Sequence, residues 1–109
     1  MATSSQIPQL GPSTALVQLL QEYRDLAPAT WRIDRDGVLS GTVAFNVDHD
    51  VRPAMAAYAE ALGATLHEQP VTLEGEERLT FHVFAMWRDV QVNVWASCSA
   101  AAAGSAVSV

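Results

Sequence analysis

The chain has 109 residues, half of them apolar, and a formal net charge of −6 at neutral pH. That size and composition exclude a disordered chain and fit one globular domain with its own core. The basic residues are six scattered arginines, with none of the clustered cations that nucleic-acid phosphates or an anionic membrane surface require, so neither is expected as a partner.

Residues 1–12, rich in Ser, Gln, Pro and Gly, read as a flexible N-terminal tail without the basic-then-apolar pattern of a signal peptide. Gly11-Pro12-Ser13 then predicts a helix start with Ser13 as N-cap. Leu16, Leu19, Leu20, Tyr23 and Leu26 follow at helical spacing, and Pro28 is the expected stop.

Trp31 to Phe45 reads as a hairpin whose register follows from burial. A two-residue Asp36-Gly37 loop mixes apolar and polar faces. A three-residue Arg35-Asp36-Gly37 loop, with Gly37 left-handed, places Ile33 opposite Leu39 and Trp31 opposite Gly41. Trp31, Ile33, Leu39, Val43 and Phe45 then share one face, and Arg32, Asp34, Ser40 and Thr42 the other.

Asp48 or Asp50 is the expected cap of a second helix with Pro53 in its first turn. Its stripe is Val51, Met55 or Ala54, Tyr58 and Leu62, and Gly63 is its left-handed C-cap. Ala64 to Leu73 predicts a weaker strand, which Pro70 places at an edge or a break. After the solvated turn of Glu74 to Glu77, Leu79, Phe81, Val83, Ala85 and Trp87 alternate with Thr80, His82, Phe84 and Met86. Beyond Arg88-Asp89, Val90, Val92, Val94 and Ala96 alternate with Gln91, Asn93, Trp95 and Ser97. Pairing Trp87 with Val90 aligns both apolar sets. Arg-Asp is not a favoured two-residue turn, which leaves a two-residue turn and a wider loop of the same register both open. Residues 100–109, rich in Ala and Ser, read as a flexible C-terminal tail.

The expected fold is therefore α+β, in the order α-β-β-α-β-β-β. Two helices pack on one face of a mainly antiparallel sheet of about five strands, formed by a single domain over residues 13–99. No run approaches the ~20 apolar residues of a membrane-spanning helix.

Motifs for chemistry are sparse. Val43 to Val47 followed by Asp48-His49-Asp50 resembles the strand-Asp-x-Asp signature of haloacid-dehalogenase-type phosphatases, in which the first Asp is the nucleophile. Those enzymes use a larger parallel sheet and usually a phosphate-holding lysine, and this chain has no lysine, so the carboxylates read as helix caps. Gly37-Val38-Leu39-Ser40-Gly41 sets its serine one place too late for a nucleophile elbow. His49, His67 and His82 lack the spacing of a zinc pair, and Cys98, the single cysteine, reads as a small buried apolar residue. Neither a metal, a cofactor nor a catalytic residue is expected, and the lone cysteine fits a cytoplasmic chain. The acidic residues are spread over turns and helix starts, as on a solvated surface, and do not read as a mimic of DNA. Trp-x-Ile before a turn, Leu-x-Gly after it and a terminal Val-x-Val-x-Val-Trp strand resemble small proteins of high-GC bacteria, a likeness of layout that implies no activity.

One feature asks for an explanation. In the derived register His82 faces Trp95, Phe84 faces Asn93 and Met86 faces Gln91, which gathers His82, Phe84, Met86 and Trp95 on the side away from the core. Such a face either marks a contact surface or is covered by the N-terminal segment or another part of the same chain. The sequence thus points to a non-enzymatic interaction or accessory module, pairing with itself or with another protein. The alternative is a small-ligand binder or minor enzyme with His82, Asn93 and Gln91 as polar groups in an apolar wall.

Overall fold

A computed structural model describes residues 9–103. Residues 1–8 and 104–109, which hold most of the two expected tails, lie outside the described residues. The elements follow the expected order: α1 (Leu10–Glu22), β1 (Thr30–Ile33), β2 (Leu39–Val47), α2 (Arg52–Leu62), β3 (Leu66–Leu73), β4 (Glu76–Trp87) and β5 (Val90–Ser99). One five-stranded sheet has the order β1-β2-β5-β4-β3, and all neighbours are antiparallel except β2 and β5. The parallel contact arises because α2 carries the chain across the sheet from β2 to β3, and β4 and β5 then fill the gap.

Helix α1 starts three residues before the expected Ser13 cap. Pro12 sits in the first turn, where its missing N–H costs nothing because no intrahelical acceptor exists there. Ser13 instead turns its hydroxyl back to donate to the Gln9 carbonyl at 2.7 Å. The buried stripe is Pro12, Ala15 and Leu19, flanked by half-buried Leu16, while Leu20 and Tyr23 are exposed. The helix also ends well before Pro28, with Tyr23 outside the helical region and Arg24 Nε donating to the Gln21 carbonyl. Leu26 therefore reaches the core from the following loop.

The stripe expected for α2 is buried throughout: Val51, Met55, Tyr58 and Leu62. Its N-cap is Val51, and the preceding Asp50 supplies the carboxylate that accepts the Arg52 N–H at 3.0 Å. Gly63 ends the helix in the left-handed conformation, φ +66°, a geometry glycine adopts at no steric cost. Tyr58 donates its hydroxyl to the Ala27 carbonyl, and burial pushes its pKa above the ordinary value, so it stays a donor.

Both helices cover the same face of the sheet. Ala15 and Leu19 of α1 and Met55 and Tyr58 of α2 join Leu39, Leu79, Phe81, Val83, Val92, Val94, Ala96 and Cys98 in one buried cluster. The β1–β2 register is the derived one, with Ile33 opposite Leu39, Trp31 opposite Gly41, and Gly37 left-handed in the three-residue loop. The β4–β5 register also holds from Trp87 opposite Val90 outward. Of the two loops left open, the Arg88-Asp89 turn is the two-residue one, with both residues left-handed (φ +53° and +65°). Arg88 is held there by Glu22 Oε1 at 2.7 Å, Gln18 Oε1 at 2.8 Å and the Trp87 ring 4.3 Å below its guanidinium. β3 is an edge strand, and Pro70 sits within it.

Phe45 departs from expectation. The hairpin register predicts it on the core face, but it lies on the opposite face and is 67 % exposed. The pairing of β2 with β5 slips twice, between Thr42 and Ala44 and again before Val47. Each extra residue on β2 inverts the alternation of side chains, as a β-bulge does. Asn46, left-handed at φ +53°, sits in the second slip, where Ser97 Oγ accepts its N–H at 2.7 Å and donates to its Oδ1 at 3.2 Å.

Candidate interaction surface

The alternation that buries Leu79, Phe81 and Val83 beneath the helices turns Thr80, His82, Phe84 and Met86 outward on β4. The partner strand turns out Gln91, Asn93, Trp95 and Ser97. The registers place His82 opposite Trp95, Phe84 opposite Asn93 and Met86 opposite Gln91, so all four residues singled out in the sequence lie on this open face. Among the described residues no helix lies over it. Phe84 is 54 % and Met86 71 % exposed, while His82 and Trp95 are half-buried by their neighbours.

Two residues that sequence reasoning left out join them. Phe45 arrives from β2 through the bulge, 5.6 Å from the Trp95 ring. His67 arrives from β3 as the cross-strand partner of His82. The rings form a chain across four strands: Phe45 to Trp95, Trp95 to His82 at 6.2 Å, His82 stacked on Phe84 at 5.6 Å, and Phe84 to His67 at 6.0 Å. These separations are those of attractive aromatic pairs. Burial first, and the neighbouring His67 second, hold the His82 pKa below its ordinary value, which favours the neutral imidazole on this face.

On β4 and β5 no charged side chain stands on this face between Thr80 and Met86, while exposed Arg32 of β1 stands at its far edge, although the chain carries twelve carboxylates. Glu68 on β3 turns to the helix side and meets Arg52 in a two-pronged pair, both contacts 3.1 Å. Glu76 sits at the end of β4 and pairs with Arg78 at 3.0 Å. Arg78 is nine-tenths buried, donates to the Val47 carbonyl at 3.2 Å, stands 3.8 Å from Asp48, and has no partner for its Nε among the described residues. Above it opens a cleft of about 160 Å³ between Phe45 and Trp95 on one side and Val71 and Leu73 on the other, with Thr80 and Ser97 on its floor.

The polar trio expected for a ligand site does not enclose a cavity of its own. Gln91 and Asn93 lie side by side, 3.5 Å apart, and the depression nearest them is a shallow one lined by Phe84, Ala85, Met86 and Gln91. Asp48 is tied to Arg78 and Asp50 to the start of α2, which gives both carboxylates of the Asp-x-Asp segment structural partners. Cys98 is fully buried. Among the described residues no three His, Cys, Asp or Glu side chains gather as they would around a metal ion, and no helix is long and apolar enough to cross a membrane. Comparison with protein-family models, with curated proteins and with solved structures found no match.

Proposed function

We propose that this chain is a protein–protein interaction module that pairs with a second copy of itself through the open face of its sheet. The observation that carries this reading is the charge-free aromatic row of Phe45, Trp95, His82 and Phe84, flanked by exposed Met86, on the side away from both helices. Aromatic residues and Met are enriched, and charges depleted, at the centre of protein interfaces. At ~4.8 Å between strands and ~3.3 Å per residue, the five strands offer roughly 700 Å², close to the ~800 Å² each partner gives a standard interface. The best complement to the uncharged aromatic row at the centre of this face is another such row, and a second copy supplies one. A basic partner would instead be drawn to the acidic turns and helix starts.

Light scattering across a concentration series tests the reading. The native chain is expected to reach twice its 11.7 kDa mass. Phe84→Glu and Trp95→Glu, which place a charge in the buried contact, are expected to remain folded and monomeric. A native chain that stays monomeric, or variants that associate as before, would overturn it. The cleft above Arg78 favours a second reading, a small-ligand binder, which specific thermal stabilisation of a monomer by a metabolite would support.

A further inference from the structure

We infer that the two copies pack with their strands antiparallel about a two-fold axis that crosses the sheet at His82, so that Met86 of each copy seats in the cleft above Arg78 of the other. The inference rests on the self-association proposed above and adds the register that such a pairing takes.

The face is asymmetric along its strands. One end is a projection: Met86, 71 % exposed, beside half-exposed Phe84. The other end is a hollow of about 160 Å³ with apolar walls, roughly the size of a cavity that accepts one benzene ring. Met is suited to such a hollow, because its unbranched, polarisable side chain adapts to irregular gaps. A two-fold contact must be self-complementary: where residue i of one copy meets residue j of the other, j of the first meets i of the second. Projection and hollow satisfy that condition only if the strand ends are exchanged. Met86 and Arg78 lie four positions to either side of His82 on β4, so a two-fold axis at His82 superposes the Met86 of one copy on the Arg78 level of the other. If the axis ran along the strands instead, hollow would face hollow and Met86 would face Met86.

The turns at the two ends of β4 report this register from the rim of the contact. Glu74-Gly75 precedes β4 and Arg88-Asp89 follows it. With the ends exchanged, the Glu74 turn of one copy meets the Asp89 turn of the other. The two Glu74 turns then stand roughly 50 Å apart, at ~3.3 Å per residue on either side of His82. The experiment is pulsed electron-spin spectroscopy on Glu74→Cys and Asp89→Cys, each spin-labelled, alone and as an equimolar mixture. Cys98 is fully buried and takes no label. The expected result is a separation under about 25 Å in the mixture, with sheets ~10 Å apart, and long separations in either variant alone. A short separation between two Glu74 labels overturns the register and leaves self-association standing. Absence of dipolar coupling in every sample, with a monomer mass by light scattering, overturns both.

Discussion

The indole of Trp31 lies against the backbone of Gly41, its cross-strand partner, so closely that a Cβ added to Gly41 would stand 2.6 Å from the ring. The glycine is therefore set by space, and the same indole packs edge-on against Tyr58 of α2 with ring centroids 6.1 Å apart. Gly41→Ala is expected to destabilise the fold by about 1–3 kcal/mol, the usual cost of overpacking. In a Trp31→Val background the same change should cost much less. Urea unfolding of the four proteins of this cycle measures the coupling, and an equal cost in both backgrounds would refute the steric account.

The Arg88-Asp89 turn joins the two longest strands with two left-handed residues that carry side chains. Such residues cost about 1–2 kcal/mol each relative to ordinary backbone. Arg88 recovers that cost through Glu22, Gln18 and Trp87, whereas no hydrogen bond or ion pair of Asp89 is seen among the described residues. Asp89→Gly is thus expected to stabilise the chain by about 0.5–1 kcal/mol once the added freedom of the unfolded glycine is counted. Arg88→Gly relieves the same strain but loses the anchors, and is expected to gain nothing. Thermal melts of both variants decide between strain and anchoring.

This turn also shows where the sequence was legible. The registers of both hairpins were readable because a one-residue slip would have exchanged apolar and polar faces along the whole strand, at Ile33 and Leu39 as at Trp87 and Val90. Turn chemistry alone argued against a tight Arg-Asp turn, since the contacts that hold Arg88 come from a helix about 70 residues away. Phe45 was misplaced because Val43, Ala44 and Phe45 are apolar in succession and leave no break in parity to betray a bulge. Asn46, tolerant of the left-handed conformation, was the single local hint. The pairing of β2 with β5, which brings Phe45 to Trp95, leaves no local pattern at all. His67 stayed out of the site because the edge strand around Pro70 alternates too poorly to give a register.

Arg78 is buried with partners that are themselves in water, Asp48 and Glu76 being largely exposed. Its desolvation is thus poorly compensated, and its Nε has no partner among the described residues. Exchange of a buried ion for an apolar side chain of similar volume is often neutral or stabilising by about 1–4 kcal/mol. Arg78→Met leaves the two carboxylates solvated and the Val47 carbonyl without its donor. Stability is therefore expected to stay within about 1 kcal/mol of the native value. A loss of several kcal/mol in chemical unfolding would show that the ion pairs organise this end of the sheet.

His82 makes the open face sensitive to acid. The ionisable group facing His82 from β3 is His67, while β5 presents Trp95 and β4 presents Thr80 and Phe84, none of them a carboxylate that would welcome an imidazolium. Because burial and His67 lower the folded-state pKa of His82, the unfolded chain binds its proton first. Stability contributed by the neutral ring is complete above the unfolded value of about 6.5, falls as pH drops below it, and levels off once the folded chain is protonated too. A second copy on this face would desolvate the ring further and set His82 against its own symmetry mate, so acid should separate the copies before it unfolds them. Light scattering from pH 8 to pH 5 is expected to show the native chain passing from dimer to monomer, and His82→Gln holding its mass to lower pH. If the variant dissociates at the same pH as the native chain, His82 is not at the contact and the two-fold axis lies elsewhere on the sheet.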